Sequence, residues 1–492
     1  MVFQSRSALR AGFFLTPGHR HRKENGGPGE DADGSSMNEH RNEQHQGSRR
    51  EVLTMAWPLV IGMLSYTLMG VVDTLLMGHV NTAAQAGVGL ANTLFFFATS
   101  FFMGLSAGPQ SLVAAADGAR NPARVNQAGG AGIVVGLISG LLGVLVLGLL
   151  HKPLLHLVVT EEEVAKNACD YLYMRLYGLP FGMLAMGLIS GLQGLGDTRT
   201  RMWVSVVANG VNVGLDLVLI FGFGPVPAMG AAGAALATTI ASLVMAVLYA
   251  WAYLRRLGRP VLPDMEVFMS SLRLGLPSGV QRVMGVFAFT VISLVLARVG
   301  SAHLAASEIV LNIISISFLP GFGVGEASGV LVGRYLGAGK PMLAARAVGS
   351  GRFLAMVFMG LCGAAFALLG AQTAGLFTLD AEVARLAGTL MLYAAVFQVL
   401  DAVATVHLCA LRGAGDTTFC LWTTIGCAWG LTVPLTLVFG LWLNWGAPGA
   451  YLGITMELLA LCVITGLRVR GLAVGRVGRM DLLLGADAAR TR

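Results

Sequence analysis

Asp73, Asn209, Asn212 and Asp216 stand inside stretches that are otherwise built for hydrocarbon. A charged side chain at the centre of a membrane span costs about 2.5–3.5 kcal/mol on insertion scales, so each such residue needs a reason. Asn209, Asn212 and Asp216 follow one another at i, i+3 and i+7, which sets them along one face of a helix. Asp73 lies about five residues from the outer end of its apolar stretch and Asp216 about eight from its own, so their depths agree within one or two helical turns. Two carboxylates beside amide carbonyls in a dry bundle suit two kinds of chemistry. Repulsion disfavours ionising both, so the pair can share a proton. The same oxygens can form a cage for Na⁺, a hard cation. The residue types leave both open.

The second half of the chain has its own acids. Asp401, in "FQVLDAV", is a candidate cavity-facing carboxylate. Glu326, in "GVGEASG", has small neighbours and is a candidate for lining a gap between helices. For Glu326, Glu308 and Glu457 a local hydrogen bond or a lipid-interface position is the simpler reading, with Arg282 and His407 as possible partners. No arrangement suits catalysis. The six cysteines form no CxxC pair and the nine histidines show no HExxH spacing, so neither a disulfide frame nor a metal cofactor is implied. A membrane-embedded transferase would need an acidic metal loop such as DDxxD, and "TEEEVAK" reads instead as a helix start.

The elements that must position these residues are membrane helices. The 492 residues are 55% hydrophobic and 12% charged, with mean hydropathy +0.71, whereas soluble domains are roughly a quarter charged. Windows of about 19 residues give twelve spans near 55–78, 88–115, 128–150, 165–193, 202–224, 229–254, 274–298, 307–333, 347–370, 385–411, 419–441 and 448–468. The fold class is therefore an all-α polytopic membrane protein. The net charge is +7, and the Arg and Lys between the spans lie in short loops on one side, with Lys152 and Arg298 the main exceptions, the positive-inside pattern and not a nucleic-acid surface. That asymmetry puts both termini on the cytoplasmic side; a monomeric, multi-pass protein of the plasma (bacterial inner) membrane is expected. Residues 1–50 are polar and aperiodic and are expected to be disordered, with Met37 an alternative start.

The chain also repeats itself. "GLGDT" and "GAGDT" place Asp197 and Asp416 219 positions apart, and the same offset relates Pro58 to Pro277, Gly104 to Gly323, Gly118 to Gly337 and Gly230 to Gly449. Six crossings return the chain to its starting side, so the copies are parallel repeats: an N-lobe of helices 1–6 at 51–258, a C-lobe of helices 7–12 at 259–472, and a cytoplasmic tail at 473–492. Such repeats meet at a transport site. In each GDT segment Gly is expected to end one helix and Asp or Thr to cap the next, with Arg199 and Arg201 facing anionic headgroups. The repeat is also an internal control. Asp73 pairs with Ile292, Asn209 with Ala428, Asn212 with Leu431 and Asp216 with Leu435, so the scaffold does not demand polarity there.

"WPLVIGMLSYTLMGVVDTLLMGH", the "LVAAADGARNPARV" and "LVGRYLGAGKPMLAAR" loop pair, both GDT segments, and "NGVNVGLDLVLIFG" followed by "GAAGAALATT" resemble the multidrug and toxic compound extrusion (MATE) family over about residues 50–470. The resemblance implies twelve helices in two lobes around a cavity. It implies export of organic cations and other amphipathic small molecules through the lipid bilayer, driven by inward H⁺ or Na⁺, with no cofactor. A lipid-linked-precursor flippase of the same superfamily is the alternative. By resemblance Asp73, Asn212 and Asp216 belong to an N-lobe ion site, Thr238 is its sixth-helix threonine, and Tyr173 or Tyr177 matches a fourth-helix tyrosine. Asp401 is similar to a tenth-helix aspartate used for coupling in one branch. That branch also carries a glutamate where this chain has Gly285, so its second-half site is incomplete here.

Overall fold

The computed structural model describes residues 45–158, 161–475 and 477. The expectations for the extension before residue 45 and for the tail after Val477 lie outside these residues. An apolar chain in hydrocarbon must satisfy its own backbone, which leaves the helix as the available element for these spans. Among the described residues there are twelve: α1 (Arg49–Gly78), α2 (Thr82–Gly118), α3 (Pro122–Val158), α4 (Glu162–Gly194), α5 (Thr198–Phe221), α6 (Gly230–Arg256), α7 (Met265–Val299), α8 (Ser301–Gly337), α9 (Pro341–Gly375), α10 (Ala381–Gly413), α11 (Thr417–Trp442) and α12 (Gly446–Arg470).

The repeat is a repeat of structure. Thr82 and Ser301, Gly118 and Gly337, Pro122 and Pro341, Gly194 and Gly413, and Thr198 and Thr417 are equivalent helix boundaries at the one offset. Both GDT turns use a left-handed glycine, Gly196 at φ 80° and Gly415 at φ 81°, where a side chain would be strained. The aspartates then part company. Asp197 caps α5, accepting from the Thr200 N–H at 3.2 Å, and pairs with Arg256 at 3.3 Å. Asp416 makes no cap bond with its side chain and pairs instead with Arg468 at 2.8 Å. Arg201 also departs from expectation. It turns back to donate to Gln193 Oε1 at 2.9 Å rather than reaching for headgroups, because the buried Gln193 amide needs a partner.

Two helices depart from regular α geometry in ways that bear on the sites. α2 breaks at Ser106, whose hydroxyl donates to the Met103 carbonyl at 2.7 Å. α11 widens into π-helical turns at Ala428–Thr432 and Thr436–Trp442, on either side of Pro434. Proline has no N–H to give and crowds the preceding turn, and a π turn absorbs the mismatch. The N-lobe counterpart α5 has Leu215 at the position equivalent to Pro434, and it is α-helical throughout.

The lobes meet along two seams related by the repeat. Gly104 of α2 lies so close to α7 that a Cβ on it would fall 2.5 Å from Gly279 Cα. Gly323 of α8 lies against Val60 of α1, the position equivalent to Gly279. Toward the loops, Arg334 of α8 pairs with Asp117 of α2 at 3.0 Å. Ser111 donates to the Arg412 carbonyl at 3.2 Å, and Tyr335 donates to Glu51 at 2.7 Å. These bonds gather at the end of the bundle that carries the Arg-rich loops.

Candidate functional site

α1, α4, α5 and α6 bring one polar cluster into the N-lobe. Asp73 on α1 is 1% exposed, and Asn212 and Asp216 on α5 are fully buried. The Thr238 hydroxyl of α6 is 2.9 Å from Asp73 Oδ2, and the Asn212 amide donates to Thr238 Oγ1 at 3.4 Å. The Asp216 carboxyl lies against that of Asp73. Asp73 Oδ1, both Asp216 oxygens and Asn212 Oδ1 are buried and accept no hydrogen bond among the described residues. Unsatisfied buried acceptors on this scale are rare and costly. A shared proton or a small hard cation meets them directly.

Two hydroxyls facing Asp73 have a second acceptor. Thr238 lies 3.0 Å from the Ala234 carbonyl, and Tyr171 lies 2.9 Å from Asn92 Oδ1 as well as 3.3 Å from Asp73 Oδ2. Each has one proton to donate. Each can therefore stabilise an ionised Asp73 and turn to its other acceptor when the carboxyl is neutralised.

Arg175, one turn along α4 from Tyr171, supplies the charge balance. It is buried, its guanidinium lies 4.1 Å from the Phe95 ring centroid, and it is within electrostatic reach of Asp73. One cation matched to two carboxylates leaves room for one further positive charge.

Asn92, Tyr171 and Arg175 were missed by sequence reasoning, yet the repeat test marks all three. Their equivalents are Leu311, Leu390 and Ala394. Tyr173 and Tyr177, matched by resemblance to the fourth-helix tyrosine, are not in the cluster. They are 49% and 56% exposed and bond to each other, OH to OH, at 2.9 Å. Two residues along a helix turn a side chain by about 200°, so Tyr171 faces inward where Tyr173 faces out. Asn209 lies two turns from Asp216 on the expected face; it is half-buried, and no hydrogen bond from the described residues reaches its Oδ1.

The C-lobe acids occupy two separate places. Asp401 Oδ1 accepts from Thr405 at 3.1 Å, and Glu457, which accepts from Thr432, is within electrostatic reach of Asp401. Glu457 stands at the equivalent of Thr238, 219 positions on. Glu326 lies elsewhere, at the joined end of the lobes, lining a small cavity with Gln110, Cys409 and Arg412. His407 bonds Thr465 at 3.2 Å rather than any of these acids.

The MatE family matches residues 58–218 and 277–438, one segment in each lobe. The chain is 30% identical over 448 residues to a probable multidrug resistance protein NorM of Shewanella oneidensis, covering 88% of this chain and 97% of that one. It is 32% identical over 428 residues to a protein of the same name from Burkholderia mallei, covering 83% and 90%. Among solved structures it resembles a multidrug resistance MATE family transporter in an outward-facing conformation (TM-score 0.80, 22% identity, 86% and 96% covered). It also resembles a MOP superfamily transporter from Pyrococcus furiosus (TM-score 0.78, 21% identity, 89% and 97% covered). With matching segments in both six-helix copies, the chain belongs to the MatE family, as a multi-pass membrane transporter and not an enzyme.

Proposed function

We propose that the protein is an antiporter that exports amphipathic small molecules, organic cations among them, in exchange for H⁺ or Na⁺ bound between Asp73 and Asp216. The multidrug names of its relatives support the substrate class. The observation that carries the coupling site is the buried carboxyl pair, its donor-free oxygens and its single arginine. Binding one cation there neutralises the cluster and releases Thr238 and Tyr171 to their alternative acceptors. That is a differential stabilisation of one lobe conformation, without which an ion cannot shift a population. In the C-lobe, Asp401 and Glu457 serve a cationic substrate. The topology has the Arg-rich loops and both termini on the cytoplasmic side of the inner membrane, and the chain works as a monomer.

Purified protein in liposomes, with a pH or Na⁺ gradient imposed separately, tests this reading. Efflux of a fluorescent organic cation should follow one of the two gradients. Efflux that persists undiminished with both gradients collapsed would reject antiport.

A further inference from the structure

The lobes are held at their joined end by a charge arrangement that the proposed ion site does not use. Glu326 of α8 accepts from the Gln110 amide of α2 at 3.3 Å, across the seam. Within its own lobe it stands 3.8 Å from the Arg412 guanidinium of α10, which in turn donates to Cys409 Sγ at 3.0 Å. Arg282 of α7 has Glu326 and Arg412 within electrostatic reach and, from the opposite lobe, Arg201 of α5. Arg412 and Arg282 thus face Glu326, and Arg201 faces Arg282 from the other lobe. The equivalent N-lobe positions of Arg282, Glu326 and Arg412 are Met63, Ala107 and Gln193, so the packing of the seam does not require charges here.

We propose that Glu326 is the counter-charge of an inter-lobe latch: it offsets the repulsion between Arg282 and Arg201 and, through Gln110, holds the loop-bearing ends of the two lobes together. Like charges facing across an interface oppose its closure, and a carboxylate among them reverses that balance. When the lobes separate at this end, Gln110 and Arg201 leave with the N-lobe while Arg282, Arg412 and Glu326 stay together in the C-lobe. The carboxylate then keeps its ion pair with Arg412, so opening breaks one neutral-donor hydrogen bond and relieves one like-charge contact. The Arg334–Asp117 pair and the Ser111–Arg412 and Tyr335–Glu51 bonds, also between the lobes, are further contacts that opening must break. A latch so balanced opens and recloses, where a wholly attractive seam would stay shut. Glu326 acts through lobe position and is a positioning residue for transport.

Spin labels on Arg199→Cys and Thr418→Cys, exposed and equivalent positions of the two lobes, report separation at this end by pulsed electron paramagnetic resonance in lipid nanodiscs. Glu326→Gln should move the distribution toward longer separations, changing the closed-to-open ratio about tenfold, the size of one charge-assisted bond. Arg282→Met, which installs the N-lobe residue, should move it the other way. Gln110→Leu removes the cross-lobe bond but no charge, and should shift the ratio in the direction of Glu326→Gln by less; it carries the test with Arg282→Met if the glutamate variant fails to fold. Unchanged separations in Glu326→Gln and Gln110→Leu would overturn the proposal. So would lengthening in Arg282→Met, since a seam that is merely loosened lengthens in every variant whereas loss of a repelling cation shortens it.

Discussion

Where the N-lobe places Asp73, the C-lobe has Ile292; where it places Tyr171, Arg175, Asn212 and Asp216, the C-lobe has Leu390, Ala394, Leu431 and Leu435. α4 and α10 share both boundaries and α5 and α11 start at equivalent positions, so the repeated scaffold does not itself demand the polar set. Thr238 breaks the pattern, since its equivalent is Glu457. The C-lobe thus keeps a carboxyl at this level of the bundle but surrounds it differently, with Asp401 on α10 and the π-helical turns of α11 about Pro434. In the N-lobe two acids share one arginine. Among the described residues no arginine is within electrostatic reach of Asp401 or Glu457 to play that part. One fold therefore carries two charge balances: two acids with a buried arginine in the first copy, and two acids without one in the second.

Substitutions that erase this difference should have the largest effect. Asp73→Asn and Asp216→Asn should each abolish gradient-driven export in vesicles while the protein remains folded in the membrane, and the double variant should be little worse than either. An asparagine keeps the shape but takes up no proton and weakens an oxygen cage. Full export by either variant at normal expression would move coupling out of the N-lobe.

Arg175→Met comes next. It leaves two carboxylates without their buried counter-charge, and removing one member of a buried charge set costs about 3–5 kcal/mol. Thermal unfolding in detergent should fall clearly, and adding Asp216→Asn should restore much of the loss. No recovery in the double variant would mean that Arg175 acts through its packing on Phe95 alone.

The hydroxyls should rank by geometry. Thr238→Val loses the 2.9 Å contact to Asp73 and should slow export about tenfold, within the range for a bond to a charged group. Tyr171→Phe loses a 3.3 Å contact that competes with Asn92 and should cost less. The reverse order, measured as initial efflux rates, would argue against Thr238 as the main donor.

The smallest effect is expected in the C-lobe. Asp401→Asn should slow cationic substrates severalfold more than neutral ones, because a cavity carboxylate acts through charge. Equal slowing of both would assign Asp401 to its bond with Thr405.

Much of this comparison is legible before any coordinates. The spans are long and apolar, so their helices announce themselves, and the constant offset exposes the two copies. Asp73, Asn212 and Asp216 stand out because a charge or amide in hydrocarbon has few explanations. Arg175 carries the same signal less clearly. It stands in "CDYLYMRLYG", a polar stretch toward the start of α4, where a charge needs no special reason. Tyr171 was not separable from Tyr173 and Tyr177, since the three differ only in the rotation of α4. The roles of Glu326, Gln110 and Arg201 could not be read at all. They depend on how one lobe sits on the other, and no periodicity within a helix encodes that.

The central claim is that the N-lobe cluster takes up one monovalent cation. Equilibrium binding to purified protein, read as Na⁺ bound or protons taken up per chain, tests it without a substrate. Wild type should bind one cation that Asp73→Asn and Asp216→Asn both lose and Asp401→Asn keeps. A cation retained by Asp216→Asn, or lost with Asp401→Asn alone, would contradict the account.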